Sequence, residues 1–488
     1  MRAKAGWCAR AFSSTSKLPD PVLYDRHGKA LQTQETTDEN RGTIAIDRSG
    51  LLSFGEETRF TRDETGQTEL LKFLKRNIEM RGAISISEFM RIALLHPQLG
   101  YYCRTDVFGQ DGDFTTSPEI SQMFGELLGV WCVSNWMALG EPSSLSLVEL
   151  GPGRGTLMAD ILRVAHRFPN FRNALCVNFV ERSPVLREYQ AAAICCQVEA
   201  EADGMGQREA TLIGQIPSST GTAGAIDVAW YEELNLVPKG TPTLMLAQEF
   251  FDALPVHQFQ LTEKGWCERL VDVDEKEDSK HHLRFVLSPA PTVASRVLLG
   301  KGLTRNTTDQ QDRDRVRRDN TPPDAKVGDA IEISPAGIGV CQDMAQRIAD
   351  DGGAALIIDY GHDHAMADSI RGIKQHTFVD IFEDPGMVDL SIDVDFSALR
   401  RAVDTVSGAA ATPVITQGSF LRNMGIDVRM AKLLESASEE SAERLFSEYE
   451  RLTGDEDMGR IYKVMGIVTK DTMDMVGCEG FTGPQEKR

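Results

Sequence analysis

One stretch narrows the fold of this chain more than any other: Leu147-Val148-Glu149-Leu150-Gly151-Pro152-Gly153-Arg154-Gly155-Thr156-Leu157. A short apolar run enters a glycine-rich turn, and a helical pattern from Leu157 to His166 leaves it. Glycine at such a turn lets the backbone approach a ligand, and the helix N-terminus offers it unpaired N–H groups. Further on, Asn178-Phe179-Val180-Glu181 reads as a second strand ending in an acid. A carboxylate there can accept two hydrogen bonds from vicinal ribose hydroxyls. The combination predicts a nucleoside-containing cofactor at the carboxyl edge of a parallel sheet.

The details choose among cofactors. A dinucleotide site wants G-x-G-x-x-G/A, its third small residue letting helix and strand pack closely. Here that slot holds Thr156, and the spacing is G-x-G-x-G. Glu149, two residues before the first glycine, would repel a pyrophosphate but suits the ammonium of S-adenosyl-L-methionine. The expected cofactor residues are therefore Glu149, Gly151, Gly153, Gly155 and Glu181. A nicotinamide dinucleotide is the alternative.

The α/β texture continues downstream. Apolar runs end at Leu150, Val180, Trp230, Ala247 and Asp359, separated by helical or loop segments. That spacing predicts an α/β fold with a doubly wound, mostly parallel sheet, Rossmann-like, carrying an N-terminal helical region and insertions. In that N-terminal region, Leu70, Leu74 and Ile78 mark a helix ending at Gly82. Ser85 with Glu88 forms a capping box, and Ile84 with Phe89 a hydrophobic staple. Ser117-Pro118 reads as the N-cap and first-turn proline of a long helix.

The expected divisions follow changes in composition. Residues 1–19 resemble a mitochondrial presequence, because Arg2, Lys4, Arg10 and Lys17 precede the first acid, Asp20. Residues 20–66 are polar linker, 67–140 the helical region, 141–476 the cofactor-binding domain and 477–488 a tail. Residues 201–225 and 301–330 read as loop insertions. With 52 Lys+Arg against 73 Asp+Glu, the net charge of −21 disfavours nucleic acid and anionic membranes as main partners. The nine cysteines form no CxxC pair and the histidines no metal-ligand spacing, so a zinc site and a disulfide scaffold are both set aside. No stretch is long and apolar enough to predict a transmembrane segment.

The acceptor side is expected at Leu244 to Pro255, where Gln248-Glu249-Phe250-Phe251-Asp252 leaves a strand. Free arginine stays protonated in water, its pKa being above about 12. Methylating it needs carboxylates that bind the guanidinium and help remove a proton. Glu249 and Asp252 are the expected catalytic residues, with Phe250 and Phe251 as cation–π faces.

Seven stretches, in order along the chain, resemble the MidA-like methyltransferase family and, within it, the mitochondrial branch. They are "ISEFMRIALLHPQLGYY", "GDFTTSPEISQMFGELLGVW", "VELGPGRGTLMADILR", "EFFDALPVHQFQ", "GGAALIIDYGH", "VDFSALRR" and "FLRNMGID". The resemblance implies a class I methyltransferase fold, S-adenosyl-L-methionine and a mitochondrial matrix location. It also implies symmetric dimethylation of an arginine on a complex I core subunit, as a step in complex I assembly. Gln248 stands where relatives often carry Asn or His. A non-catalytic assembly chaperone with a relic cofactor site is the alternative from another class, and a nucleotide-dependent oxidoreductase the third.

Overall fold

The computed structural model describes residue 62 and residues 66–103, 116–201, 210–217, 224–276, 278–299, 324–472 and 480–481. The expected presequence at 1–19, nearly all of the 20–66 linker, most of 301–330 and nearly all of the tail lie outside the described residues.

Among the described residues the principal sheet has eleven strands, nine of them on its main path: β1 Leu145–Leu150, β2 Leu175–Val180, β3 Gln197–Glu201, β4 Leu212–Ile216, β5 Ile226–Tyr231, β6 Thr243–Gln248, β7 Gly353–His362, β8 Ala409–Ala411 and β9 Tyr462–Thr469, with the short Val394–Asp395 paired to β7 and Ile415–Thr416 to β9. The nine run in the order β8-β9-β7-β6-β1-β2-β5-β4-β3. The central five, from β7 to β5, are parallel. β9 is antiparallel to β7 and β8, and β3 and β4 form an antiparallel hairpin on the β5 edge. The Rossmann-like expectation therefore holds. Within the predicted 201–225 loop, however, Leu212–Ile216 is a strand. Its backbone groups are satisfied against β5, which composition alone does not reveal.

Alternation along β1 shows how the sheet is covered on both faces. Leu145 and Leu147 join the apolar cluster that includes Phe124, Leu128 and Trp131 of the helix Gln122–Ala138. Val148 and Leu150 join the opposite cluster, with Met344 and Ile348 of the helix Pro335–Asp351. A strand buried on both faces reads as a continuous apolar run. Glu149 is the polar exception in β1 that matters for the site.

Between β6 and the helix Pro335–Asp351 the chain builds a second, antiparallel sheet from His257–Thr262, Gly265–Val273, Leu283–Leu287 and Ala330–Ile333, joined by Ile84–Ser85. After β7 it adds a three-stranded sheet of Arg371–Lys374, Thr377–Val379 and Asp389–Ser391. The helices Glu69–Arg81 and Ile86–Leu95 share a core with both: Leu74, Ile78 and Phe89 pack with Val271, Leu283, Phe382 and Leu390. The expected helical region 67–140 is thus divided. Its first two helices cover the added sheets and its last covers the principal one.

Ser85 does cap its helix, accepting the Glu88 N–H at 3.0 Å. The long helix expected from Ser117 is two helices. Thr116 caps the single turn Ser117–Ile120 in a capping box with Glu119, and Ser121 then starts Gln122–Ala138 by accepting the Met123 N–H. Two successive caps, each worth about 1 kcal/mol, favour the break.

Candidate active site

β1 is followed by β2 on one side and β6 by β7 on the other, yet β1 and β6 are neighbours. Open α/β sheets take ligands in the crevice outside the carboxyl ends of such a pair. Both expected motifs converge there, since residues 151–155 follow β1 and residues 249–252 follow β6.

Gly151, Gly153 and Gly155 have φ of 60°, 53° and 85°, left-handed values that cost an L residue about 1–2 kcal/mol. A Cβ on Gly151 would lie 2.8 Å from the Phe250 ring, so only glycine lets the two turns meet. Gly155 starts the helix Thr156–Ala165. Gln190, of the helix Pro184–Ala193, braces this region. Its amide N–H groups donate to Gly153 O (2.8 Å) and Glu181 Oε2 (3.1 Å), and its carbonyl accepts from Trp230 Nε1 (2.9 Å). Sequence reasoning missed Gln190, whose role depends on contacts across three elements.

Glu181 follows β2. Its Oε1 accepts the Ser183 N–H at 2.7 Å, so one donor on each oxygen orients the carboxylate while leaving acceptor capacity. Burial raises its pKa, opposed by the Ser183 N–H and Gln190. Glu149 is only 3% exposed, and its Oε2 has no hydrogen-bond partner. Burial lifts its pKa well above the usual carboxylate range. A buried acceptor left unmet is costly unless a ligand donor completes it. The glycine turn, the unmet Glu149 oxygen and the oriented Glu181 fit a ligand with an ammonium and a ribose.

The other wall is organised by Asp359, fully buried in β7. Its Oδ2 accepts the N–H groups of Phe250 (3.2 Å), Phe251 (2.9 Å) and Asp252 (3.2 Å), and its Oδ1 that of Tyr360 (2.9 Å). This pins the turn after β6, where Glu249 is held at φ 49°, a conformation costing about 1–3 kcal/mol that recurs at functional sites. Glu249 Oε1 accepts the Ser117 N–H (3.1 Å), the Ser117 hydroxyl (3.4 Å) and the Gln248 amide. Asp252 Oδ2 accepts the Tyr360 hydroxyl at 2.6 Å. Asp252 Oδ1 has no partner, although the residue is 8% exposed. Phe250 lies against Gly151, whereas Phe251 is buried in the core behind the turn.

Around this turn, acids outnumber the cations that meet them. Burial pushes Glu249 up to about 7, opposed by the Ser117 N–H and reinforced by the Asp252 charge. Asp389, 3% exposed, is also lifted to about 7, by burial and then by Asp252. Burial raises Asp252 and Asp359 as well. Arg371 moderates Asp252, but it is bound to Asp393 at 2.6 Å and stacked 4.8 Å over the Tyr360 ring. His362 stands 3.6 Å from Asp393, which the same arginine engages. Among the described residues, no group of three or more His, Cys, Asp or Glu is placed to hold a metal. No described helix is long and apolar enough to cross a membrane.

Comparison with known proteins shows the family of the chain. A family model, Methyltransf_28, described as "Putative S-adenosyl-L-methionine-dependent methyltransferase", matches residues 127–415. The chain is 43% identical over 403 residues to "Protein arginine methyltransferase NDUFAF7, mitochondrial" of Danio rerio, covering 82% of this chain and 86% of that protein. It is 39% identical to the protein of that name from Homo sapiens, over 83% of this chain and 84% of the other. It is 37% identical to the "NDUFAF7 homolog, mitochondrial" of Drosophila melanogaster, over 83% and 86%. Two Burkholderia thailandensis crystal structures share the fold. One, bound to S-adenosyl-homocysteine, has a TM-score of 0.58 and 23% identity over 82% of this chain and 91% of that one. The other, a native structure, has a TM-score of 0.60 and 23% identity over 86% and 95%.

Proposed function

We propose, for a chain that belongs to the Methyltransf_28 family of S-adenosyl-L-methionine-dependent methyltransferases and to its mitochondrial NDUFAF7 branch, that the acceptor is an arginine of a protein. The protein is a methyltransferase, S-adenosyl-L-methionine is its cofactor and its relatives are mitochondrial. The observation carrying the arginine reading is the acidic turn after β6, where half-buried Glu249 lies three residues before buried Asp252, whose Oδ1 has no partner, with Phe250 between them against Gly151. A cluster of acids that outnumbers its cations is unfavourable on its own and is completed by a delocalised cation.

In this reading the main chain of residues 151–155 and Glu149 hold the amino acid portion of the cofactor, and Glu181 holds its ribose. The bound cofactor supplies an electrophilic methyl group. Asp252 Oδ1 accepts a guanidinium N–H, Tyr360 fixes the carboxylate through Oδ2, and Glu249 supplies the second acceptor. Fixing the guanidinium in one orientation replaces a bimolecular search with a positioned encounter. As the nitrogen gains its methyl group it loses a proton, and Asp252 is placed to take it. Raised proton affinity, which burial gives Asp252 and Glu249, suits that task.

The resemblance noted above extends the proposal to symmetric dimethylation of an arginine on a complex I core subunit in the matrix, serving complex I assembly. Purified protein, incubated with methyl-labelled S-adenosyl-L-methionine and mitochondrial protein from cells lacking it, should place label in methylarginine after hydrolysis. Label confined to other residues, or no transfer from a preparation that binds the cofactor, would refute the arginine reading.

A further inference from the structure

We propose that Asp389 is a third acceptor-binding carboxylate, contacting the substrate guanidinium beside Asp252, and that Tyr102 is the residue that positions it. This rests on the arginine reading above. Neither residue belongs to the glycine turn or the turn after β6. Asp389 begins a strand of the three-stranded sheet, paired with Ile373, and Tyr102 lies in the short helical turn Tyr101–Cys103.

The backbone brings Asp389 to the site. The Ile392 N–H donates to Asp252 O at 3.0 Å, laying the segment from Asp389 alongside the acceptor turn. Asp389 Oδ1 accepts the Tyr102 hydroxyl at 3.1 Å, and Oδ2 the Ser391 hydroxyl at 3.1 Å. Each oxygen accepts one neutral hydroxyl and the Leu390 N–H also supports the carboxylate, leaving acceptor capacity for a further donor. The groups facing the pair come from every side: Tyr102, Ser391, Tyr360, Asp359, Glu249, Tyr462 and Arg371. Arg371 is the cation in that set, and Asp393 already engages it. Two neighbouring buried carboxyls, one with an unmet oxygen, must share protons or take up a cation.

The chemistry of the acceptor explains why a third carboxylate belongs there. A guanidinium presents five N–H donors in a plane, and a bidentate bond to one carboxylate uses two. Asp252, Glu249 and Asp389 together can meet the remainder. An ammonium has only three donors and no planar fork, so the arrangement selects arginine over lysine. Tyr102 also joins the two halves of the site. Its carbonyl accepts the Ser183 hydroxyl at 2.8 Å, next to the Glu181 corner, while its hydroxyl holds Asp389. Asp389 is thereby set against the cofactor side by one residue.

The test is calorimetric titration of the full chain, saturated with S-adenosylhomocysteine, with N-acetyl-arginine methylamide in two buffers of different ionisation enthalpy at pH 6.5. The native protein should bind and release protons. Asp389→Asn should weaken binding by roughly thirtyfold or more, the loss expected for one partner of a buried charged contact, and release fewer protons. S-adenosylhomocysteine affinity should stay near native. Tyr102→Phe should give a smaller loss, and Asp389→Glu should recover proton release. A folded Asp389→Asn protein with native affinity and proton count would overturn the assignment of Asp389, even if arginine is the acceptor. If Asp389→Asn fails to fold, native affinity in Tyr102→Phe would overturn the positioning of Asp389. No binding of the arginine amide by the native protein would overturn the acceptor reading itself.

Discussion

Replacing Asp252 with asparagine removes one charge while keeping the shape of the side chain. The structure separates its effects on chemistry and on stability. Asp359, not Asp252, ties down the N–H groups of residues 250–252, so the turn keeps its cap. The Tyr360 hydroxyl can still donate to the amide oxygen. What then occupies the position of Oδ1, unpartnered in the native site, is an NH2 group pointing donors at a donor. Losing one partner of a desolvated charged contact costs about 2–5 kcal/mol. This corresponds to a fall of roughly thirtyfold to several-thousandfold in kcat/KM for methyl transfer. Cofactor affinity should stay near native. The free protein should melt no lower, because the change also removes a like charge from beside Asp359 and Asp389. The assays are transfer of labelled methyl to mitochondrial protein, calorimetric titration with S-adenosyl-L-methionine and a melting curve. A folded, cofactor-binding Asp252→Asn protein with near-native turnover would refute the role given to Asp252.

Four other outcomes follow from the same geometry. Gly153→Val should abolish measurable cofactor binding in calorimetry at a stability cost of about 1–2 kcal/mol, since φ there is 53° and the turn backbone faces the ligand; unchanged affinity would remove the turn from the cofactor site. Glu149→Gln should weaken S-adenosyl-L-methionine at least tenfold, about 1.4 kcal/mol, yet leave the melting temperature at pH 8 equal or higher, because the native carboxyl is buried and unmet. Glu249 is lifted to about 7, so its contribution to stability is full below its unfolded pKa and is lost as pH rises through about 7; the free protein should lose more melting temperature between pH 5.5 and 8 than Glu249→Gln, and parallel curves would contradict the shift. A fluorescent fusion lacking residues 1–19 should stay cytosolic, whereas undiminished mitochondrial import would contradict the presequence reading.

What could be read from the sequence is what is decided locally. Gly151, Gly153 and Gly155 are legible because no other residue takes left-handed backbone so readily three times in five positions. Ser85 and Gly82 are legible because helix ends have their own residue chemistry. Ser117 misleads for the same kind of reason: its neighbours Thr116 and Ser121 are equally good caps, and the structure uses both of those. Glu249 and Asp252 can be placed at a strand end, but the hydrogen bonds from Ser117 and Tyr360 that orient them span 132 and 108 residues. Asp389, Tyr102 and Gln190 leave no local trace because each acquires its role only where separate elements meet. The antiparallel sheet between β6 and the helix Pro335–Asp351 is not legible in the sequence because its strands, such as Gly265–Val273, mix charged with apolar residues.

The measurement that bears most directly on the account is mass spectrometry of arginine methylation on mitochondrial proteins. The comparison is between cells lacking the protein and the same cells carrying either the native chain or Asp252→Asn. An arginine that is methylated with the native chain, and unmethylated both in its absence and with Asp252→Asn, is the predicted result. A methylation pattern identical in all three cells would contradict it. So would one restored in full by Asp252→Asn.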